Sequence, residues 1–118
     1  MLPRKQRIPK ALSREVFARG AGVSSANFLI KTASSPDSPG SPTRFAVSIS
    51  KKVAPTAVAR NRARRRVYSA IRDIISARLF TLKNGLLVAI TVKKGGENLG
   101  FKEIEKEITS LLKRAAVI

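Results

Sequence analysis

The sequence has no cysteine and no histidine, and only seven of its residues are acidic. Without thiols or imidazoles, the chain has no disulfide, no ordinary zinc site, no thiol nucleophile and no imidazole base. Most familiar protein-borne catalytic chemistry is therefore excluded. We expect neither a catalytic residue nor a metal site in the protein itself.

Long apolar runs are also missing from the sequence. No segment approaches the roughly 18 to 20 apolar residues of a membrane span. The basic N-terminus MLPRKQRIPK is not followed by an apolar segment of the signal-peptide type. We therefore expect a cytoplasmic protein with no membrane partner.

Positive charge is what the sequence has in excess. Its 24 lysines and arginines give a formal net charge of +17. Apolar residues make up 43% of the chain, as in an ordinary globular protein, so these cations must lie mainly on the surface. A polyanion relieves the resulting self-repulsion, because its phosphates pair with the cations. Nucleic acid is the partner that this charge predicts.

The length predicts a single domain, residues 1–118. Residues 1–10 form a basic arm, and the Ser/Pro-rich stretch 33–43 is predicted to be a flexible loop. Charge is uneven along the domain, because residues 44–94 carry thirteen basic residues and one acid. Residues 97–118 balance four basic residues against four acidic ones. We therefore expect binding to depend on the middle of the chain.

Hydrophobic periodicity predicts a short helix and two strands in the first half. The helix spans 13–19, with Ser13 as its N-cap, and it ends at Gly20. The strands lie at 25–32 and 44–50, where apolar and polar residues alternate in the second.

The second half is predicted to contain a long helix, a buried strand and a closing helix. The long helix begins after Pro55, with Thr56 as its N-cap, and runs to about residue 80. The strand at 86–92 is apolar throughout, as in a central strand, and an amphipathic helix starts near Phe101. The order is α-β-β-α-β-α, and the strand–helix–strand unit predicts a parallel pair.

The long helix is predicted to be amphipathic. Positions on one side of a helical wheel should be buried: Ala59, Ala63, Val67, Ala70, Ile74 and Ala77. A line on the opposite side should face solvent: Asn61, Arg65, Tyr68 and Arg72. The charge of this helix is therefore expected to point outward.

Three basic pieces of the sequence are expected to meet at one edge of the sheet. They are Lys51 and Lys52 after one strand, the arginines between 60 and 66, and Lys93 and Lys94 after the next strand. In a parallel crossover, the carboxyl ends of both strands and the start of the helix share an edge. Arginines beside the positive end of a helix dipole are unfavourable unless anions compensate, so phosphates are favoured there.

Several positions keep two interpretations. An arginine-rich helix is often only a solvated face, although such a face normally mixes signs, whereas 51–72 has eight basic residues and no acid. Asn61 is either an exposed filler or an amide that meets a phosphate or a hydrated metal ion. Tyr68 is either a rim residue or a stacking platform. Phe17 and Phe28 are either core residues or, on an open sheet face, platforms for a single-stranded base.

The stretch SISKKVAPTAVARNRARRRVYSAIR, residues 48–72, resembles the signature of the protein subunit of bacterial ribonuclease P. The family pattern is a strand ending in Ser-x-Ser-Lys-Lys, a short loop, Ala-Val, and then Arg-Asn-Arg-x-Lys/Arg-Arg. The matching positions are Ser48, Ser50, Lys51, Lys52, Ala57, Val58, Arg60, Asn61, Arg62, Arg64 and Arg65. Weaker likeness extends over most of the chain.

This resemblance implies an α+β fold, an α-β-β-β-α-β-α sandwich like domain 2 of ribosomal protein S5, with a left-handed crossover around the basic helix. It also implies an accessory subunit that binds the catalytic RNA of ribonuclease P and the 5′ leader of precursor tRNA. The endonucleolytic removal of the leader is then carried out by the RNA. Mg²⁺ is implied to be held mainly by that RNA, and no protein partner is required.

Residue matching and the charge pattern together give the expected RNA-binding set: Lys51, Lys52, Arg60, Asn61, Arg62, Arg64, Arg65, Arg66 and Arg72. The leader is expected in a cleft between sheet and helix that aromatic residues line: Phe17, Phe28, Phe45 and Tyr68. The chain departs from the family at three positions. Tyr68 replaces a common basic residue, and Ser13 and Lys31 replace aromatic residues.

Two other functions share the small size and the basic charge. A ribosomal protein or assembly factor also contacts RNA, but it gives no reason for joining Ser-Lys-Lys to Arg-Asn-Arg. A DNA-binding regulator would lay the basic helix in the major groove. Such proteins usually present a mixed set of side chains to the bases, while arginine at nearly every turn favours backbone contact.

Overall fold

The computed structural model of the chain describes residues 7–35, 42–77 and 82–117. The elements are α1 (Lys10–Arg19), β1 (Ala21–Ser24), β2 (Phe28–Ser34), β3 (Arg44–Ile49), α2 (Ala57–Ala77), β4 (Leu86–Val92) and α3 (Phe101–Arg114). A short 3-10 turn at Gly96–Asn98 precedes α3. Parts of three predictions lie outside the described residues: the arm at 1–6, the loop centre at 36–41 and the helix end at 78–80.

β4 lies inside the sheet, whose strand order is β1-β2-β4-β3. It pairs antiparallel with β2 and parallel with β3. Six of the seven residues in its run LLVAITV are apolar and five are buried, as expected for an inner strand with helices on both sides of the sheet. The predicted central strand and the predicted parallel crossover through α2 are therefore confirmed. The left hand of that crossover stays a prediction.

β1 is the strand that hydrophobic periodicity missed. It has only four residues, AGVS, and is identified by its antiparallel pairing with β2. So short a segment shows no useful alternation. β2 begins at Phe28 rather than at residue 25, because residues 25–27 form the turn between the two strands. With β1 included, the order is α-β-β-β-α-β-α, which confirms the fold implied by the resemblance.

The two faces of the sheet carry clusters of different size, because successive residues along a strand point to opposite faces. One face packs against α2 and α3. The cluster buried between this face and the two helices includes Phe28, Ile30, Phe45, Ile71, Ile90, Ile104, Ile108, Leu111 and Leu112. A smaller cluster holds α1 to the other face: Ile8, Val16, Ala46, Leu87 and Ala89.

α1 starts at Lys10, three residues before the predicted start. Ser13 lies inside the helix, where its amide donates to the Pro9 carbonyl (3.0 Å), so the prediction that Ser13 caps the helix is wrong. Gly20 ends α1 as predicted, and a Cβ at this position would lie only 2.7 Å from the Val16 carbonyl oxygen and 3.0 Å from Lys31 Cβ. The missing side chain lets the end of α1 approach β2 closely.

α2 begins where predicted but is buried over a wider arc. The Thr56 hydroxyl oxygen accepts from the Ala59 amide (3.1 Å), which confirms the predicted N-cap. Ala77 is exposed, contrary to the prediction, while Tyr68 and Ile71 are buried. Because α2 packs against both β3 and α3, its buried face spans about 160° of the helix rather than a narrow stripe.

α3 confirms the predicted closing helix. It starts at Phe101, and its apolar side chains pack with α2 and the sheet in the larger core cluster. Its first turn contains an acidic residue and its last turn contains two basic ones, as the helix dipole favours. Within the described ranges, no helix combines the length and the apolarity needed to cross a membrane.

Candidate nucleic-acid interface

The loop after β3 and the first turns of α2 form a surface that we call the basic edge: Lys51, Lys52, Arg60, Arg62, Arg64, Arg65 and Arg66. The two lysines lie in a tight turn that follows β3. In this turn, the amides of Val53 and Ala54 donate to the Ser50 carbonyl (3.1 and 3.0 Å). Both lysines are exposed. The turn therefore presents two ammonium groups to solvent beside the start of α2.

Arg60 anchors the loop that joins the lysines to α2. It is half-buried, and its Nη1 donates to the carbonyls of Ala54 (2.9 Å) and Pro55 (3.1 Å). A guanidinium has five N–H donors, so this anchor leaves donors for a phosphate. Arg60 therefore fixes the shape of the basic edge while adding to its charge.

Arg64 and Arg66 are also half-buried and contact the protein itself. Arg64 Nη1 donates to Asn61 Oδ1 (2.8 Å), and Arg66 Nη1 donates to the Leu99 carbonyl (3.3 Å) in the loop before α3. Asn61 is exposed and orients Arg64. Its direct contact with RNA stays a prediction.

Arg62 and Arg65 are exposed and point away from the buried arc of α2. Arg72 is exposed too, but it lies about 15 Å farther along the helix axis than Arg62. Its Nε is 3.9 Å from Asp73 Oδ1. Among the predicted RNA-binding arginines, Arg72 is therefore set apart from the basic edge and has an acidic neighbour.

The carboxyl ends of β3 and β4 lie at the same edge of the sheet, since the parallel register pairs Ile49 with Val92. The backbone thus brings Lys93 and Lys94 to this edge, as predicted. The Lys93 ammonium is engaged inside the protein, where it donates to the Ser25 carbonyl (2.6 Å). Lys94 is exposed. Of this pair, Lys94 is the one that adds charge to the surface.

Glu107 of α3 fixes the turn between β1 and β2 beside this edge. Its Oε2 accepts from the Ser25 hydroxyl and the Asn27 amide (2.9 Å), and its Oε1 accepts from Asn27 Nδ2 (3.2 Å). The Lys93 amide donates to the Asn27 carbonyl (2.8 Å). Asn27 and Glu107 are 80 residues apart in the chain. Sequence reasoning missed this network, because such distant partners leave no local signal.

Three of the four aromatic residues expected in the leader cleft lie in the core instead. Phe28 and Phe45 are 0% exposed and Tyr68 is 7% exposed, all within the cluster under α2 and α3. A ring buried in this way cannot stack on an unpaired base, so placing these three in an open cleft is wrong. Phe17 is half-buried and lies on the α1 side of the sheet.

The hydroxyl of Tyr68 turns inward rather than toward solvent. Its oxygen accepts a hydrogen bond from the Val47 amide (3.3 Å) on β3. Burial raises the pKa of Tyr68, while that hydrogen bond and the charges of Arg7 and Arg64 oppose the rise. The predicted solvent-facing position of Tyr68 on α2 is therefore wrong.

The α1 face of the sheet is only partly covered. Ala46, Leu87 and Ala89 are buried beneath α1, but the row nearer the basic edge is more open. We call it the hydroxyl row, and in register across the four strands it consists of Ser24, Leu29, Thr91 and Ser48. Each of these is exposed or half-buried. The row continues this face from the part beneath α1 toward the strand ends that lead into Lys51 and Lys93.

Phe17 and Lys31 border the hydroxyl row on the side of α1. Lys31 Nζ donates to the Phe17 carbonyl (2.5 Å), and both residues are half-buried. The last carbonyls of a helix carry partial negative charge, so a cation is favoured there. Lys31 thus fastens the end of α1 to β2.

The residues of the basic edge provide no carboxylate ligand for a divalent cation. Asp73 is the one acidic residue between 44 and 94. In the part of the chain that the structure describes, no three acidic side chains gather into a group that could hold a metal ion. Mg²⁺ is usually bound through carboxylates and phosphates. The residues of the basic edge therefore do not fit a magnesium site held by the protein alone.

Comparison with known proteins gives a family and several curated relatives. The matching family model is described as Ribonuclease P and covers residues 2–116. A "Ribonuclease P protein component" from Microcystis aeruginosa is 35% identical over 85 residues, which is 72% of this chain and 67% of that protein. Another with the same name, from Clavibacter michiganensis, is 30% identical over 116 residues, 98% of this chain and 96% of that one.

Solved structures share the fold over nearly the whole chain. The RNase P protein of Staphylococcus aureus superimposes with a TM-score of 0.74 at 21% identity, covering 95% of this chain and 96% of that one. The RNase P protein of Thermotoga maritima gives a TM-score of 0.67 at 16% identity, covering 92% and 96%. At these identities the likeness establishes the arrangement of the sheet and helices.

Proposed function

Because the chain belongs to the ribonuclease P protein family, we propose that it binds the catalytic RNA through the basic edge and holds the 5′ leader of precursor tRNA over the hydroxyl row. As a member of that family, the chain is a subunit of an endoribonuclease holoenzyme and a partner of ribonuclease P RNA. The roles of individual residues are our proposal.

The observation that carries the proposal is the concentration of one sign of charge on the basic edge. Seven cations gather around the start of α2, and residues 51–72 contain no acid. The helix dipole adds positive charge at the same place. Binding to RNA phosphates would turn this repulsion into attraction, and it would release counterions from the RNA. A polyanion is thus the ligand that this surface fits.

The basic edge combines anchored and exposed cations, which suits a preformed RNA-binding surface. Arg60, Arg64 and Arg66 are each held by a carbonyl or amide oxygen of the protein. Arg62 and Arg65 are exposed and free to extend toward phosphates. Less side-chain entropy is lost when donors are already oriented, and the planar guanidinium can meet two phosphate oxygens at once.

The hydroxyl row provides a floor on which a single strand could lie without base-specific contacts. Hydroxyls can donate to phosphates or accept from ribose 2′-hydroxyls, whatever the base. We assign the contact with an unpaired base to Phe17, which borders the row and is only partly buried against the cluster beneath α1. Mature tRNA has no leader, so a leader contact at this row would favour the precursor over the product.

We assign the hydrolysis itself to the RNA and to Mg²⁺ ions that the RNA holds. The chain contains no histidine or cysteine, and its described acidic residues do not form a metal-binding group. The contribution of the protein is to reduce phosphate repulsion where the catalytic RNA and the substrate meet, and to position the leader. Both effects lower the salt concentration that cleavage requires.

The proposed setting is a cytoplasmic ribonucleoprotein of the catalytic RNA and this chain, with no second kind of protein required. The absence of cysteine is compatible with a reducing compartment. A ribosomal or assembly role would require an affinity for ribosomal RNA comparable to that for the catalytic RNA. A DNA-binding role would require preference for duplex DNA. Each alternative therefore differs from the proposal in its preferred nucleic acid.

Reconstitution tests the proposal. The catalytic RNA of the source organism is incubated with precursor tRNA at low Mg²⁺, with and without the purified protein, and cleavage at the mature 5′ end is followed over time. We expect the protein to accelerate cleavage and to bind the precursor complex more tightly than the mature tRNA complex. Equal cleavage rates with and without the protein would contradict the proposal.

A further inference from the structure

The outer side of β3 lacks a neighbouring strand in the described sheet, because β3 lies at its end. Backbone groups on such an edge need other partners. The Phe45 carbonyl accepts from the Ile8 amide (2.9 Å), and two residues later the Val47 amide donates to the Tyr68 hydroxyl oxygen (3.3 Å). A side chain of α2 therefore provides the partner for one β3 amide, next to the contact with the segment before α1.

This hydrogen bond joins the two elements that carry the basic edge. β3 leads directly into Lys51 and Lys52, and α2 carries the arginines. The loop 50–56 is the covalent link between these elements. The Tyr68 contact is a second link, and it lies one turn beyond Arg64 and Arg65 on the helix. Two links restrict the rotation of α2 about its own axis more than one does.

We propose that Tyr68 is a positioning residue for RNA binding, whose hydroxyl holds α2 in the rotation that directs Arg62 and Arg65 toward the RNA. Tyr68 is only 7% exposed, so it acts through the arginines rather than by touching the RNA. This inference rests on the proposed function, and it adds the residue that sets the geometry of the interface.

The competing explanation is that packing of the ring alone fixes α2. The ring of Tyr68 lies in the main core cluster together with Val47 and Ile71. Phenylalanine would keep that packing and remove only the hydroxyl. Tyr68→Phe therefore separates the two explanations, because the positioning role requires the hydrogen bond.

The experiment compares Tyr68→Phe with Ile108→Val, a control that weakens the core beneath α3. Ile108 is fully buried and far along the chain from the β3 contact. Dissociation constants for the catalytic RNA are measured at several salt concentrations, at a temperature where denaturant unfolding shows all proteins to be folded. We expect Tyr68→Phe to weaken binding about three- to tenfold, with an unchanged salt slope because no phosphate contact is lost. Ile108→Val should bind like the unaltered protein.

Hydrogen exchange at the Val47 amide provides a second measurement, and we expect faster exchange in Tyr68→Phe. Unchanged RNA affinity in Tyr68→Phe would overturn the inference, even if that amide exchanged faster. A reduced salt slope would also overturn it, because Tyr68 would then act at a phosphate contact. If the unaltered protein fails to bind the RNA, the proposed function falls and the inference with it.

Discussion

α2 and α3 pack into the same core but expose different kinds of charge. α3 carries four basic and three acidic residues, whereas α2 carries six arginines and one aspartate. A shallow groove of about 720 Å³ beside α3 is lined by both signs, including Lys102, Lys106 and Glu105. Mixed signs keep a surface soluble without selecting a partner. Apart from Arg72, which lies beside Asp73, the arginines of α2 form no ion pair with a described acidic residue, so this helix is the one suited to a polyanion.

The largest expected effect is the difference between removing two positive charges from α2 and removing two from α3. We predict that Arg62→Ala with Arg65→Ala weakens binding to the catalytic RNA by about tenfold per arginine and lowers the salt slope by about 2. The matched pair Lys102→Ala with Lys106→Ala should change affinity less than about twofold. Titrations of labelled RNA at four or more salt concentrations measure both quantities.

Equal losses from the two double variants would contradict the distinction between the helices. Binding would then follow net charge rather than the placement of the arginines. Circular dichroism of both proteins serves as the control, because all four side chains are exposed and their removal should leave the helix content unchanged.

A smaller effect is expected at the helix starts, which differ in capping. Thr56 caps α2 through its side chain, whereas Gly100 before α3 provides no side-chain cap. Thr56→Ala should lower the free energy of unfolding by about 1 kcal/mol. Gly100 has φ −72° and ψ 165°, and the nearest atom to an added Cβ is Glu103 Oε1 at 3.5 Å. Gly100→Ser should therefore raise the free energy of unfolding by about 0.5 kcal/mol.

Denaturant unfolding at constant slope measures both changes. A loss of stability in Gly100→Ser would show that α3 needs the glycine for a reason other than the absent cap. An unchanged midpoint in Thr56→Ala would show that tertiary packing, rather than the cap, defines the start of α2.

The smallest expected effect concerns the buried faces of the helices. The residues that α3 buries are aliphatic, whereas α2 also buries a phenol, Tyr68. Its pKa is raised above 10.0 by burial, so the unfolded chain loses this proton first. Stability from Tyr68 is thus fully present below about pH 10 and is lost as the pH rises through the folded pKa.

Tyrosinate absorbance reports this titration cleanly, because the chain has one tyrosine and no tryptophan. The midpoint should lie above 10.0 in the folded protein and near 10.0 in denaturant. The free energy of unfolding of Tyr68→Phe should fall less at alkaline pH, because the variant lacks this titrating group. Coincident midpoints in the folded and unfolded states would contradict the buried position of the phenol.

Local pattern was sufficient for the elements with strong periodicity. The strand Leu86–Val92, the start of α3 at Phe101 and the Thr56 cap were predicted correctly, because each depends on neighbouring residues. β1 was missed, because a four-residue segment becomes a strand only through its partner. The predicted start of α1 at Ser13 is wrong, because a residue with capping chemistry can also lie inside a helix.

The aromatic residues show why the candidate site was only partly predictable. Alternation places Phe28 and Phe45 on one face of their strands, but it does not say which face a helix will cover. In the fold, α2 and α3 cover that face, while α1 leaves the hydroxyl row open on the other. The hydroxyl row therefore includes residues that hydrophobic periodicity does not single out, such as Ser24 and Thr91.

The sequence by itself determined that the protein carries a single sign of charge around one helix start, because charge and local propensity belong to the residues and need no distant partner. Only the tertiary structure decided which side of the sheet stays open, where Tyr68 points and how Glu107 holds the turn beside the basic edge. Those outcomes depend on contacts between segments far apart in the chain, which form only when the whole core packs.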